Sequence, residues 1–234
     1  MYKGFKIEPP FFEIGPKAYM YGERLLKLAK AADKAAEKYD VRILMTPQPS
    51  DLYMLAHETK NIVIVAQHID PIPVGRGQGS ILAEAVKAAG AHAVMLNHAE
   101  KPVTLADLAA SIKRADEVGL VSIVCADSLK EAEAVALLNP NIIVAEPSEL
   151  IGTGVTSDEE YVRATTAAIK NVNPEIQVLQ AAGIKCGQDV YNVIRAGADA
   201  TGTTSGVMRA EDPEAAMEEM IAAVRRAWDE VHKK

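Results

Sequence analysis

Short apolar runs recur along this chain, and between them apolar positions return every three or four residues. The short runs cover 11–15, 41–45, 61–66, 91–96, 121–125, 142–144, 175–179 and 199–204. Most are rich in Val, Ile and Ala and bounded by Pro, Gly, Asn or Asp, the pattern of strands buried on both faces. The longer stretches have the helical period. In 21–39, Leu25, Leu26, Leu28, Ala29, Ala32 and Ala36 form one face among Lys and Glu. Further helices are predicted over 51–57, 81–89, 104–118, 128–138, 158–171, 189–196 and 213–231. Their starts carry capping residues: Ser50 or Asp51, Thr104 with Asp107 three residues on, Ser128 and Asp158, with Pro213 in the first turn of the last.

Eight strand-like runs alternating with eight helix-like ones predict an α/β fold, a single (β/α)8 barrel spanning residues 1–234. A doubly wound sheet fits less well, because the first turn (Gly15, Pro16, Lys17) lacks the glycine-rich fingerprint of that fold. The eighth run is the most polar and the weakest strand. Between the third run and the following helix lies one long loop, 70–79, heavy in Pro and Gly.

In a barrel the residues just beyond each strand's C-terminal end converge on one mouth. That rule gathers Lys17, Gln67, Asn97, His98, Cys125, Glu146, Ala181, Gly183, Thr204, Ser205 and Gly206. The segment 141–154 concentrates the chemistry. Its strand ends on the carboxylate Glu146, Pro147 stops the strand, and the segment closes on Gly152, Thr153 and Gly154, where bare amides can approach an anion. Singly, each feature has an ordinary structural explanation: a solvated lysine, a hydrogen-bonded core histidine, an exposed glutamate, a buried Cys125. Together at one mouth they predict a small phosphorylated substrate, proton transfer by Glu146 and polarisation by His98.

Composition narrows the classes. Of 234 residues, 49% are hydrophobic and only 5% aromatic, an aliphatic core suited to a parallel sheet. A net charge of −7 disfavours nucleic-acid and membrane-surface partners. The two cysteines are far apart and form no zinc or disulfide signature, and no other histidine has a partner at ligand spacing, so no metal site is expected. No apolar run reaches the roughly 18 residues of a membrane span, and the N-terminus has no signal-peptide core. A cytoplasmic protein is expected.

Two segments carry a family resemblance: Asn97, His98, Ala99 and Glu100, and the run Glu-Pro-Ser-Glu-Leu-Ile-Gly-Thr-Gly over 146–154. Both resemble the signatures of triosephosphate isomerase in its shorter, archaeal-type form, densest over 61–207. That family is itself the reference case for a glutamate base working with a neutral histidine. The resemblance implies a TIM barrel that interconverts glyceraldehyde 3-phosphate and dihydroxyacetone phosphate through an enediolate. In it Glu146 moves the proton, neutral His98 polarises the carbonyl oxygens and Lys17 supplies positive charge. Glu100 supports the mouth, 147–154 forms a closing lid, and Gly152, Gly183, Thr204, Ser205 and Gly206 hold phosphate. No cofactor is implied. A homodimer or homotetramer is, with the 70–79 loop entering a second copy.

The sequence departs from the family in several places. Gly15 stands two residues before Lys17, where the family has Asn, and Gln78 stands in the third loop where it has Thr. Ala181 replaces a usual Gly. Gly15 is expected to leave room for Gln78 or for a larger substrate. Two other readings therefore stay open: an isomerase of a longer phosphoketose such as a tetrulose phosphate, and a sugar-phosphate-binding barrel without catalysis.

Overall fold

The computed structural model describes residues 1–232 and closes the eight apolar runs into one parallel barrel. Its strands are β1 (Phe11–Ile14), β2 (Arg42–Met45), β3 (Val63–Ala66), β4 (Ala93–Leu96), β5 (Val121–Ala126), β6 (Ile142–Ala145), β7 (Gln177–Gln180) and β8 (Ala200–Thr203). Each pairs with the next, and β8 returns to β1 with Ala200 opposite Phe11 and Gly202 opposite Glu13. Closure leaves no strand edge unpaired.

The helices are α1 (Gly22–Tyr39), α2 (Leu52–Glu58), α3 (Ala83–Ala88), α4 (Leu105–Val118), α5 (Leu129–Leu137), α6 (Glu159–Val172), α7 (Gly187–Arg195), α8 (Ser205–Met208) and α9 (Pro213–His232). Thr104, Ser128 and Asp158 accept the backbone N–H of Asp107, Glu131 and Tyr161 and so cap α4, α5 and α6. The cap expected at Ser50 or Asp51 is absent. A 3₁₀ turn (Pro49–Asp51) leads into α2 instead, and the Asp51 carboxylate accepts the N–H of Gly22 at 2.8 Å, tying the start of α1 to it. Four-residue α8 was not anticipated, since one turn is too short to display a period.

Side-chain alternation divides the core. Phe11, Leu44, Val65, Ile123, Val144 and Leu179 fill the barrel, while Phe12, Ile14, Ile43, Met45 and Ile64 pack against the helices. The same parity turns Glu13 inward, one layer above Phe11. The bottom of the barrel is closed by the N-terminal segment: Gln177 Nε2 donates to the Ile7 carbonyl at 2.6 Å and Asn141 Nδ2 to that of Tyr2 at 2.7 Å. The top is left open for the site.

Candidate active site

Lys17 follows β1 in a left-handed backbone conformation, φ 47°, an unfavourable region for a long side chain. Its carbonyl accepts from Gln48 Nε2 at 2.8 Å and Gln67 Nε2 at 3.2 Å, and Gln67 Nε2 also donates to the Thr46 carbonyl at 3.0 Å. These amides hold the turn. Lys17 Nζ then bonds Glu100 Oε1 at 2.9 Å.

His98 is carried by Asn97, which is also left-handed at φ 56°. The Asn97 side chain bridges three elements: Nδ2 donates to the Cys125 carbonyl and to Glu131 Oε1, and Oδ1 accepts the Val103 N–H. The Glu100 backbone N–H donates to His98 Nδ1 at 3.0 Å. Nε2 faces the Glu146 carboxylate, 3.5 Å from Oε2. Burial, and then the charge of Lys17, hold the imidazole below its usual pKa, against an opposing effect of Glu100. The ring is neutral at pH 7.

Glu146 lies immediately beyond β6, with its backbone N–H donating to the Ala126 carbonyl at 3.0 Å. Burial raises its pKa above the ordinary glutamate value; Lys17 pulls it down, Glu100 pushes it up, and an N–H from Ala182 pulls it down again. A partly desolvated carboxylate with an opposing lysine suits a base that must both take and return a proton. The segment beyond it turns through Ser148–Leu150 and is anchored by the Ser148 N–H on Asp127 Oδ1 at 2.5 Å.

The segment after Gly154 passes directly over the loop after β7. At Gly183 (φ 71°) a Cβ would fall 2.0 Å from the Val155 carbonyl oxygen, so only glycine permits this crossing. Gly152, Gly183, Thr204 and Ser205 line a small side chamber shared with Lys17 and Glu146. Gly206 stands apart: its N–H donates to Thr203 Oγ1 at 3.2 Å, and a Cβ there would meet the Ile184 carbonyl at 2.7 Å. It shapes the turn, with its amide engaged by the Thr203 hydroxyl.

Lys17, His98, Glu100 and Glu146 line one cavity of about 350 Å³ with Gly15, Cys125 and Ala181. Gln78 does not join them; it is exposed on the 70–79 loop, whose base is clamped by Asp70, which accepts the Ile81 N–H on Oδ2 at 2.6 Å and contacts His68 Nε2 through Oδ1 at 3.2 Å. Nor does Gly15 leave free space. A Cβ there would lie 3.0 Å from Glu13 Oε1 and 3.1 Å from Thr204 Oγ1. The expected enlargement is overturned, because the Glu13 carboxyl occupies the volume. Glu13 was missed by reading strand ends alone; its signal was a single carboxylate inside an apolar run. It is buried, accepts Thr46 Oγ1–H at 2.7 Å, and has its pKa raised to about 7, chiefly by burial. Among the described residues no group of three His, Cys, Asp or Glu side chains is placed to hold a metal ion.

The triosephosphate isomerase family model matches residues 14–224. The chain is 40% identical over 222 residues to the triosephosphate isomerase of Methanobacterium bryantii, covering 93% of this chain and 98% of that protein. It is 41% identical to that of Methanothermus fervidus (86% and 91% covered) and 35% identical to that of Saccharolobus solfataricus (94% and 99%). With a closed eight-stranded parallel barrel and a glutamate, a neutral histidine and a lysine around one cavity at its mouth, the chain belongs to the triosephosphate isomerase family.

Proposed function

We propose that Glu146, His98 and Lys17 carry out the interconversion of glyceraldehyde 3-phosphate and dihydroxyacetone phosphate in this enzyme. Glu146 removes a proton from the carbon beside the carbonyl and returns it to the neighbouring carbon. The negative charge that develops on oxygen is met by His98 Nε2–H and by Lys17, both aimed before the substrate arrives. His98, being neutral, can give its Nε2 proton to one enediolate oxygen and take the proton of the other, so that no net proton is lost from the site. The phosphate rests in the chamber of Gly152, Gly183, Thr204 and Ser205, as loops seven and eight of barrels commonly arrange. Closure of the 147–154 segment would exclude water from the enediolate.

The observation that carries this reading is the disposition of His98, with Nδ1 accepting a backbone N–H and Nε2 turned to Glu146. The test is turnover of glyceraldehyde 3-phosphate. A kcat/KM within about 10⁴–10⁸ M⁻¹s⁻¹ is expected, with Glu146→Gln reducing kcat by about 10³-fold while phosphate-ligand affinity holds. Undiminished kcat in that variant would remove Glu146 from the role of base.

The same reading includes a homodimer or homotetramer joined through the 70–79 loop, on which Val74 is 71% exposed. Light scattering on the purified protein tests it, a monomer at micromolar concentration being the contrary result. A cytoplasmic location also belongs to the proposal; no helix among the described residues is long and apolar enough to cross a membrane.

A further inference from the structure

The isomerisation just described leaves one carboxyl group on the cavity floor without a task. Glu13 points inward from β1 and lines the cavity that holds Lys17, His98 and Glu146. Around it the floor is apolar: Met95, Val144 and Leu179, with the thiol of Cys125. The carboxyl is half satisfied. Oε1 accepts the Thr46 hydroxyl, and Oε2 makes no hydrogen bond among the described residues. Oε2 is not among the buried unpaired atoms; it opens onto the cavity, within reach of whatever occupies it.

Space has been cleared for it on two strands. A Cβ at Gly202, opposite Glu13 in the barrel register, would lie 2.8 Å from the Cβ and the backbone carbonyl oxygen of Glu13 and 3.0 Å from Oε2; one at Gly15 would lie 3.0 Å from Oε1 and 3.4 Å from Oε2. Two glycines thus flank a carboxyl delivered from the strand interior.

The charges facing Glu13 decide its form. Glu146 comes from the loop after β6 and Lys17 from the loop after β1; Cys125 comes from β5, itself held neutral by burial. His98, neutral, with Glu100 and Lys101, lies at the mouth beyond β4, and His68 beyond β3. β2 presents Thr46, and β7 and β8 present Leu179 and Gly202, none of which titrates in this range. Two carboxylates in one desolvated cavity cannot both ionise cheaply, so the more deeply buried one keeps its proton. A neutral carboxyl is a donor as well as an acceptor.

We propose that Glu13, in its neutral form, is a substrate-contacting residue that donates a hydrogen bond from Oε2 to an oxygen on the carbon chain of the bound sugar phosphate. This rests on the isomerase reading of the same cavity. The contact fixes the chain at the end remote from the solvent. Loss of the proton converts the donor into a second negative charge beside the base and the developing enediolate, and turnover then falls.

Three forms, wild type, Glu13→Gln and Glu13→Ala, decide the matter by the pH profile of kcat/KM with glyceraldehyde 3-phosphate and by calorimetric affinity for glycerol 3-phosphate. The glutamine amide can still accept from Thr46 and donate into the cavity, without titrating. It should keep kcat/KM within about threefold of wild type and lose an alkaline fall centred near pH 7, whereas alanine should lose about tenfold or more in both kcat/KM and affinity. An alanine variant with wild-type kcat/KM and affinity overturns the proposal, as does a glutamine variant that keeps the alkaline fall. Should wild type not turn over the triose phosphate, the isomerase reading fails by itself, and the affinity series still decides Glu13. Circular dichroism of both variants separates a folding loss from a lost contact.

Discussion

The backbone N–H of Glu100 donates to Nδ1 of His98 across 3.0 Å, and this contact fixes the tautomer of the imidazole. An N–H can be accepted only by a lone pair, so Nδ1 is bare and the ring proton sits on Nε2, facing Glu146. Because the donor is main chain, no substitution at Glu100 except proline removes it.

Nitrogen NMR of His98 should show the neutral Nε2–H form still predominating at pH 6.5, the ordinary histidine value, because burial and Lys17 lower its pKa. The folded pKa is depressed, so the folded state resists protonation, and this residue's contribution to stability is expected to decline as pH falls below the unfolded value. Replacement by Gln should reduce kcat by about 10²–10⁴-fold. Detection of a protonated His98 at pH 7 would contradict the electrophile role.

Glu100→Gln should move the acid limb of kcat/KM to lower pH, because Glu100 raises the pKa of Glu146 and its removal leaves the Lys17 charge unopposed there. The His98 tautomer should be unchanged, its partner being backbone. A limb displaced upward would mean that Glu100 acts on Glu146 chiefly through holding Lys17.

Stability should depend on Glu13 with a definite sign. Its pKa rises from 4.5 unfolded to about 7 folded, so the folded state binds the extra proton in that interval and unfolding free energy declines as pH rises through it. The total is roughly 3 kcal/mol. Glu13→Gln is therefore expected to be about 1–3 kcal/mol more stable than wild type at alkaline pH, with the difference vanishing in mild acid. Urea denaturation at the two pH values measures this, and a difference independent of pH would mean that Glu13 does not titrate there.

Gly183→Ala should disturb the lid as well as the fold. The new methyl would overlap the Val155 carbonyl and sit at φ 71°, so the crossing must shift. A loss of about 2 kcal/mol or more is expected from strain of this kind, with reduced kcat from a displaced 147–154 segment. Wild-type melting temperature and kcat together would show that the crossing has slack.

By itself the sequence determined the barrel. Eight buried runs separated by amphipathic stretches admit few arrangements, because each strand needs both faces covered and each helix must bury its apolar face. It also placed Lys17, His98 and Glu146 at strand ends, since those positions follow from local punctuation by Gly, Pro and Asn. Tertiary structure decided what depends on distance between elements. The Nδ1 contact of His98 is made by an amide two residues on, and its meaning depends on Glu146 arriving from another strand. Gly206 and Thr203 pair through a turn of α8 too short to have a signature. Asp51 left its helix start to bind Gly22 on α1. The vacancy read at Gly15 was filled by Glu13 and Thr204, because a strand's inward face meets its neighbours only when the barrel closes. Local chemistry fixed which elements form; closure of the sheet fixed which side chains share one desolvated space.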